Sequence, residues 1–140
     1  MATGNIISGP EVVEFVSART GVAHPYPLSS LGFERDGKLT AGFVFSFFTG
    51  PDVHVSVAAN GELPRSLMRV AGQYVFNQLG CIRVTFKTEQ PRVVAMAKRL
   101  GGQLEARCRN LFGEGRDGYV IGILKDEWKH PAPAQEGKGE

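Results

Sequence analysis

The sequence predicts a mixed α/β fold, in which an antiparallel meander feeds a β-α-β crossover and the chain closes on a C-terminal hairpin. Three observations predict it. Strand-type alternation runs through Leu39 to Phe48 and again through Val53 to Ala58, on either side of the turn Gly50-Pro51-Asp52. The stretch from Pro64 to Gly102 changes period from helix to strand and back to helix. Two more strand patterns then follow, Gln103 to Arg109 and Tyr119 to Leu124, with a glycine-rich turn between them.

The first eight residues carry no strong pattern, although Ile6 and Ile7 suit either a short edge strand or simple packing. Pro10 opens a helix, since its fixed φ and missing N–H cost nothing at the first helical position. Val12, Val13, Phe15 and Val16 form its apolar face and Thr20-Gly21 ends it. Ala23 to Ser30 holds two prolines and reads as an extended or turned loop. Leu31 to Arg35 and Leu39 to Phe48 flank Asp36-Gly37, a strong hairpin signal. In the next strand Val53, Val55 and Val57 share one face, and His54, Ser56 and Ala58 the other.

The central helix spans Arg65 to Leu79. Arg65, Arg69, Gln73 and Asn77 recur every fourth residue on its polar side, while Leu67, Met68, Val70, Ala71, Tyr74, Val75 and Leu79 fill the opposite side. Gly80 stops it, and Ile82, Val84 and Phe86 alternate with Arg83, Thr85 and Lys87 as a strand with one face open to water, ligand or partner. Pro91 begins another helix, whose stripe is Val93, Met96, Ala97 and Leu100 and whose stop is Gly101-Gly102. Gly113 to Gly118 matches G-x-G-x-x-G letter for letter. A dinucleotide site needs a strand before that motif and a helix opening inside it, so a strand following here makes it a hairpin loop.

At 140 residues the chain is sized for a single domain, expected over 1–128, with a disordered tail over 129–140 that includes His130. Sixteen basic against 14 acidic residues give a net charge of +2, too balanced for a protein whose main partner is nucleic acid. The arginines of the two later helices are expected to be solvated faces. Cys81 and Cys108 share no metal-ligand or disulfide spacing, so two ordinary thiols and no metal are expected. With no long apolar run and no basic start leading into one, the expected location is the cytoplasm.

The later residues add a resemblance. FNQLGCIRVTFKTEQPRVVAMAKRLGGQLEARCRN, from Phe76 to Asn110, resembles the GCN5-related N-acetyltransferase (GNAT) superfamily, in particular its ribosomal-protein N-acetyltransferase branch and the short GNAT-like proteins of phages. The matching features are Leu79-Gly80, Arg83-Val84, Gln90, Leu100-Gly101-Gly102, Glu105-Ala106 and Arg109, with Asp117 and Asp126-Glu127-Trp128 after them. The likeness covers roughly residues 28–128 and rests on order and spacing.

It implies an acetyl-CoA-dependent N-acetyltransferase that passes acetyl to an amine, such as a protein terminus, by direct attack in a ternary complex. Under it Val55 and Val57 would hydrogen-bond pantetheine, Asn60, Gly61, Arg65 and Ser66 would take the pyrophosphate, and Gln90 would stand where the family has a pantetheine-contacting asparagine. His54 is the candidate general base because its unperturbed pKa lies near neutrality. His24 and Tyr26 fall in the acceptor-side loop, and Glu62 is a further candidate base. The family's pyrophosphate loop is replaced by Asn60-Gly61-Glu62-Leu63-Pro64-Arg65, and the family's acidic tyrosine falls at Ala97. A GNAT-fold binding or assembly protein without catalysis, phage-encoded and active in the host cytoplasm, is therefore the competing reading. The N-terminal part has room for one helix before the meander, which implies an open acceptor side or one completed by a second subunit in a homodimer.

Overall fold

The computed structural model describes residues 4–130. The expected tail beyond His130 lies outside the described residues. Its elements are β1 (Gly4–Ile7), α1 (Pro10–Thr20), β2 (Ser29–Arg35), β3 (Lys38–Ser46), β4 (His54–Ala59), α2 (Arg65–Gly72), β5 (Arg83–Thr88), α3 (Pro91–Arg99), β6 (Gln103–Cys108) and β7 (Gly118–Leu124). They form one seven-stranded mixed sheet in the order β1-β2-β3-β4-β5-β7-β6, in which the β4–β5 pair alone is parallel. This is the predicted meander, crossover and hairpin, and Ile6 and Ile7 take the edge-strand option against β2.

Two apolar layers hold the sheet. On one side Val12, Phe15 and Val16 of α1 pack on Val44 and Ala58. Gly42 makes that approach feasible, because a Cβ there would come within 3.0 Å of Val12 and Val16. On the other side Leu67, Met68 and Ala71 of α2 and Ala97 and Leu100 of α3 cover Phe43, Phe45, Val55, Val57, Val84, Phe86, Ile121 and Ile123. Burial of these large side chains, each stabilising by roughly 1.5–3 kcal/mol, is the main force holding both helices on the sheet. The hairpin turn at Asp36-Gly37 has φ of 54° and 77°, the paired positive values of a primed turn.

Several local expectations are corrected. The central helix runs as α only to Gly72 and continues over Gln73–Gln78 as a π-helix, where the Leu79 N–H donates to the Tyr74 carbonyl five residues back. The polar stripe still faces water, but the wider turns bring Val75 and Phe76 into the core and the Tyr74 hydroxyl to Ser29. The strand expected to reach Phe48 stops at Ser46. Phe47 has a φ of 54° and leaves the sheet, because the turn closed by the Thr49 N–H on the Asp52 carbonyl takes the chain away. Ile82 precedes β5 and is exposed, whereas Thr85, expected on the wet face, is buried and donates to both carboxylate oxygens of Asp52 at 2.9 and 3.0 Å. Lys129 and His130, expected in the tail, are hydrogen-bonded to the domain through their backbones: the Lys129 N–H donates to the Leu100 carbonyl, and Trp128 Nε1 to the His130 carbonyl.

Candidate functional site

The site begins where β4 and β5 part. They pair through His54↔Thr85 and Val55↔Phe86 and no further, although β4 keeps its register with β3 to Ala59 and β5 with β7 to Thr88. Each strand follows its antiparallel neighbour, and the twist of the sheet carries the two apart. Backbone groups alternate sides along a strand. The Thr85 N–H donates to Val53 and the Asn60 N–H to Thr40, so odd-numbered residues of β4 turn toward β5 and even-numbered ones toward β3. Val57 therefore presents its N–H and C=O to the gap with no strand partner. Val55 does not, because its backbone lies in the last paired register, so of the two expected pantetheine contacts only Val57 has a backbone without a strand partner.

Two adjoining cavities open on this gap, and both are lined by Thr20, Val57, Gln90 and Val93. The larger, about 760 Å³, lies at the N-terminus of α2. Arg19, Arg65, Arg92 and Arg99 line it from four positions of the fold, with Asn60, Gly61 and Glu62 at its rim and His130 beside α2. None of these arginines has a carboxylate within ion-pair distance among the described residues. Arg92 donates to the Gly61 carbonyl at 2.8 Å and Arg19 to the Asn60 side chain at 3.0 Å. These contacts hold the crossover loop from two sides. Pro64 caps α2 with no side-chain hydrogen bond, and the Arg65, Ser66 and Leu67 N–H groups precede the first intrahelical donor, Met68. The Asn60 N–H is committed to Thr40, so Asn60 cannot offer a ligand that donor.

The smaller cavity, about 270 Å³, holds His24, His54, Phe47, Lys87 and Glu89, walled by Leu111 and Phe112 of the β6–β7 loop. That loop is pinned by Arg116, which donates to Glu89, and by Arg107 on Asp117. It is the G-x-G-x-x-G segment, and no helix opens inside it. His54 Nδ1 and His24 Nε2 are both buried with no hydrogen-bond partner. The other nitrogen of His24 meets Ser17 Oγ at 2.8 Å, and that of His54 lies 3.5 Å from Asp52, too far for a hydrogen bond. Burial holds His54 below its ordinary 6.5, Lys87 and Arg83 push the same way, and Asp52 opposes them. Burial lowers His24 likewise.

His54, Val57, Gln90, Asn60, Gly61 and Arg65 thus line the two cavities at one gap, whereas the Ser66 side chain lines neither. Tyr26 is 89% exposed and lines neither cavity, and Ala97 is fully buried in the core, so its position does not open on the gap. Sequence reasoning missed Arg19, Arg92, Arg99, His130, Asp52 and Lys87. The basic residues were visible, but nothing local shows that three helices bring the four arginines to one cavity. Among the described residues no group of three metal-ligating side chains occurs, and no helix is long and apolar enough to cross a membrane.

No protein-family model matches this sequence, and no curated protein matches it. Solved structures do. Ard1 from Thermoplasma volcanium aligns with a TM-score of 0.67 at 16% identity over 86% of this chain and 97% of that one. The spermidine/spermine N-acetyltransferase SpeG from Vibrio cholerae gives 0.66 at 14% identity over 89% and 93%. A GCN5-related N-acetyltransferase from Brucella melitensis gives 0.58 at 22% identity over 73% and 52%, so this chain spans about half of that protein. It likewise spans 62% of a probable acetyltransferase. At these identities the likeness establishes the fold.

Proposed function

We propose that this chain, a GNAT fold by its architecture, is an acetyl-CoA-dependent N-acetyltransferase that acylates an amine. The carrying observation is the parting of β4 and β5 at Val55, which leaves the Val57 backbone free between a four-arginine cavity and a two-histidine cavity. The arginines and the first N–H groups of α2 suit the phosphates of coenzyme A, since guanidinium forks and unpaired helix N-termini both favour phosphate oxygens. The free Val57 amide and carbonyl suit an amide-bearing arm such as pantetheine, with Gln90 reaching the same gap. Bound there, acetyl-CoA would supply an acyl thioester, already activated toward an amine.

His54 acts as the base. Its lowered pKa keeps the imidazole neutral near pH 7, and the ring, which lines the smaller cavity, takes a proton from the attacking amine. The amine nitrogen bonds to the carbonyl carbon, the carbon–sulfur bond breaks, and its electron pair leaves on sulfur. A thiol titrates near 8.5, about seven units below water, so the thiolate departs without a positioned acid. This removes the difficulty raised by the missing tyrosine. Pro64 and Glu62, which take away one donor and add one negative charge, favour the second reading of a fold kept for binding or assembly.

Calorimetry with coenzyme A and acetyl-CoA separates these readings: binding with turnover of an amine supports the enzyme, binding without turnover supports the second reading, and no binding at millimolar ligand overturns both as coenzyme A proteins. The pH profile gives a finer test. Because folding lowers the His54 pKa, the acid limb of kcat/KM should fall below pH 6.5. Asp52→Asn removes the one charge that raises it and should move the limb lower, while Lys87→Met should move it higher. Limbs that stay put in both variants would remove His54 as the titrating base. The same sign applies to stability. The unfolded chain binds the proton more readily, so this group's contribution is complete above 6.5 and is lost as pH falls below it.

A further inference from the structure

We propose that the smaller cavity takes a small amine that also carries an anionic group, an amino acid being the simplest of this class, with the anion on Lys87 Nζ and the amine between His54 and His24. This deepens the acyl-transfer reading and rests on it. The charges facing the cavity decide the class. Glu89 is the one carboxylate in its wall, and Arg116 already holds it through two donors, Nε at 3.0 Å and Nη2 closer still. Asp52 lies behind the wall, committed to Thr85 and 3.5 Å from Arg83. Both imidazoles are held toward neutrality. Lys87 therefore remains as the one cation without a carboxylate partner in the wall among the described residues.

Its ammonium sits 5.4 Å from the centre of the Phe47 ring, and the His54 ring centre also lies 5.4 Å from it. Phe47 thus neighbours both the anion-binding group and the amine-accepting group in the same cavity wall. Phe47 takes this place because its left-handed backbone turns it out of β3. A polyamine would meet an uncompensated positive charge and no free carboxylate. A zwitterion pairs its anion with Lys87, and the same cation lowers the pKa of the neighbouring amine, favouring the neutral nucleophile. His54 and His24 both line the cavity, and each has one ring nitrogen with no hydrogen-bond partner. The cavity of about 270 Å³ suits a small acceptor rather than a folded partner.

The test compares the 20 amino acids, their carboxamides, aminoalkyl phosphonates and spermidine as acceptors for wild type, Lys87→Met and Lys87→Glu, with acetyl-CoA as donor. Amino acids or phosphonates should exceed the carboxamides by about tenfold or more in kcat/KM, the scale of one charge-assisted contact. Which of the two leads identifies the anion. Lys87→Met should erase the difference and Lys87→Glu should turn the preference toward spermidine. Equal use of acids and carboxamides by wild type, a preference unaltered in Lys87→Met, or no acceptor used at all while coenzyme A binds would each overturn the proposal. Calorimetry of the amino acids against the free protein separates this outcome from failure of the acyl-transfer reading. Amino acid binding lost in Lys87→Met, with no binding of coenzyme A, would leave the anion site standing and remove the enzyme.

Discussion

Arg65→Ala combined with Arg99→Ala should weaken coenzyme A binding about a hundredfold or more while the fold stays intact. Both side chains are on the outside of their helices and line the same cavity, so neither contributes to the packed core. A hydrogen bond to a charged group is worth about 1.5–3 kcal/mol, and each 1.4 kcal/mol is a factor of ten. Removing two such contacts therefore costs about two decades at least. Much of the loss should appear as reduced salt dependence, because the contacts released are between exposed charges and phosphate. Calorimetric titration of coenzyme A at two ionic strengths, beside a thermal melt, measures both parts. A double variant that binds like wild type would remove this cavity as the phosphate site. Arg92→Ala should be different in kind, since Arg92 also ties the Gly61 carbonyl and its loss frees the crossover loop.

Trp128→Ala should be the most damaging single change to stability. The indole is 8% exposed, packs edge-on against Phe76 at 5.8 Å, and covers Gly72, where a Cβ would come 2.4 Å from Nε1. It closes the layer formed by α2 and the π-helical turns behind it, and the next residue, Lys129, hydrogen-bonds to the end of α3. Truncating a buried tryptophan costs about 3–5 kcal/mol, a large part of the roughly 5–15 kcal/mol that holds a domain together. The melting midpoint should drop by about 10 °C or more for a chain of this size. Trp128→Phe should recover part of it, and Gly72→Val should be destabilising for the converse reason, because the indole cannot move aside without opening the layer. A midpoint for Trp128→Ala within about 2 °C of wild type would show that the C-terminal segment is not part of the core. Loss of coenzyme A affinity below the melt is a second expected effect, since His130, two residues after the tryptophan, lines the four-arginine cavity.

Much of the frame was legible in the residue pattern. The alternation from Val53 to Ala58 put the valines in the core and His54 and Ser56 on the other face, where the structure has them. Asp36-Gly37, Pro91 and Leu100-Gly101-Gly102 marked a turn, a helix start and a helix stop through their own backbone preferences, and the strand following Gly118 identified the glycine motif as a loop. These features are local, so each can be read from a few neighbouring residues. Where the pattern misled, a competing contact won. Phe47 and Phe48 alternate like strand residues, but the turn at Gly50 to Asp52 ends the pairing first. Thr85 looks solvent-facing until Asp52, 33 residues earlier, accepts its hydroxyl.

The sequence by itself determined the order of the elements, the faces of the central strand and the position of a histidine beside the crossover. Tertiary structure alone decided that β4 and β5 separate after Val55, that four distant arginines converge, and that Lys87, Phe47 and His54 share one cavity. The physical reason is the range of the interactions. Strand and helix periods are written in the chain every two or four residues, whereas a gap in a sheet arises from two strands obeying different neighbours, and the charge of a cavity from segments that meet only after the chain has folded.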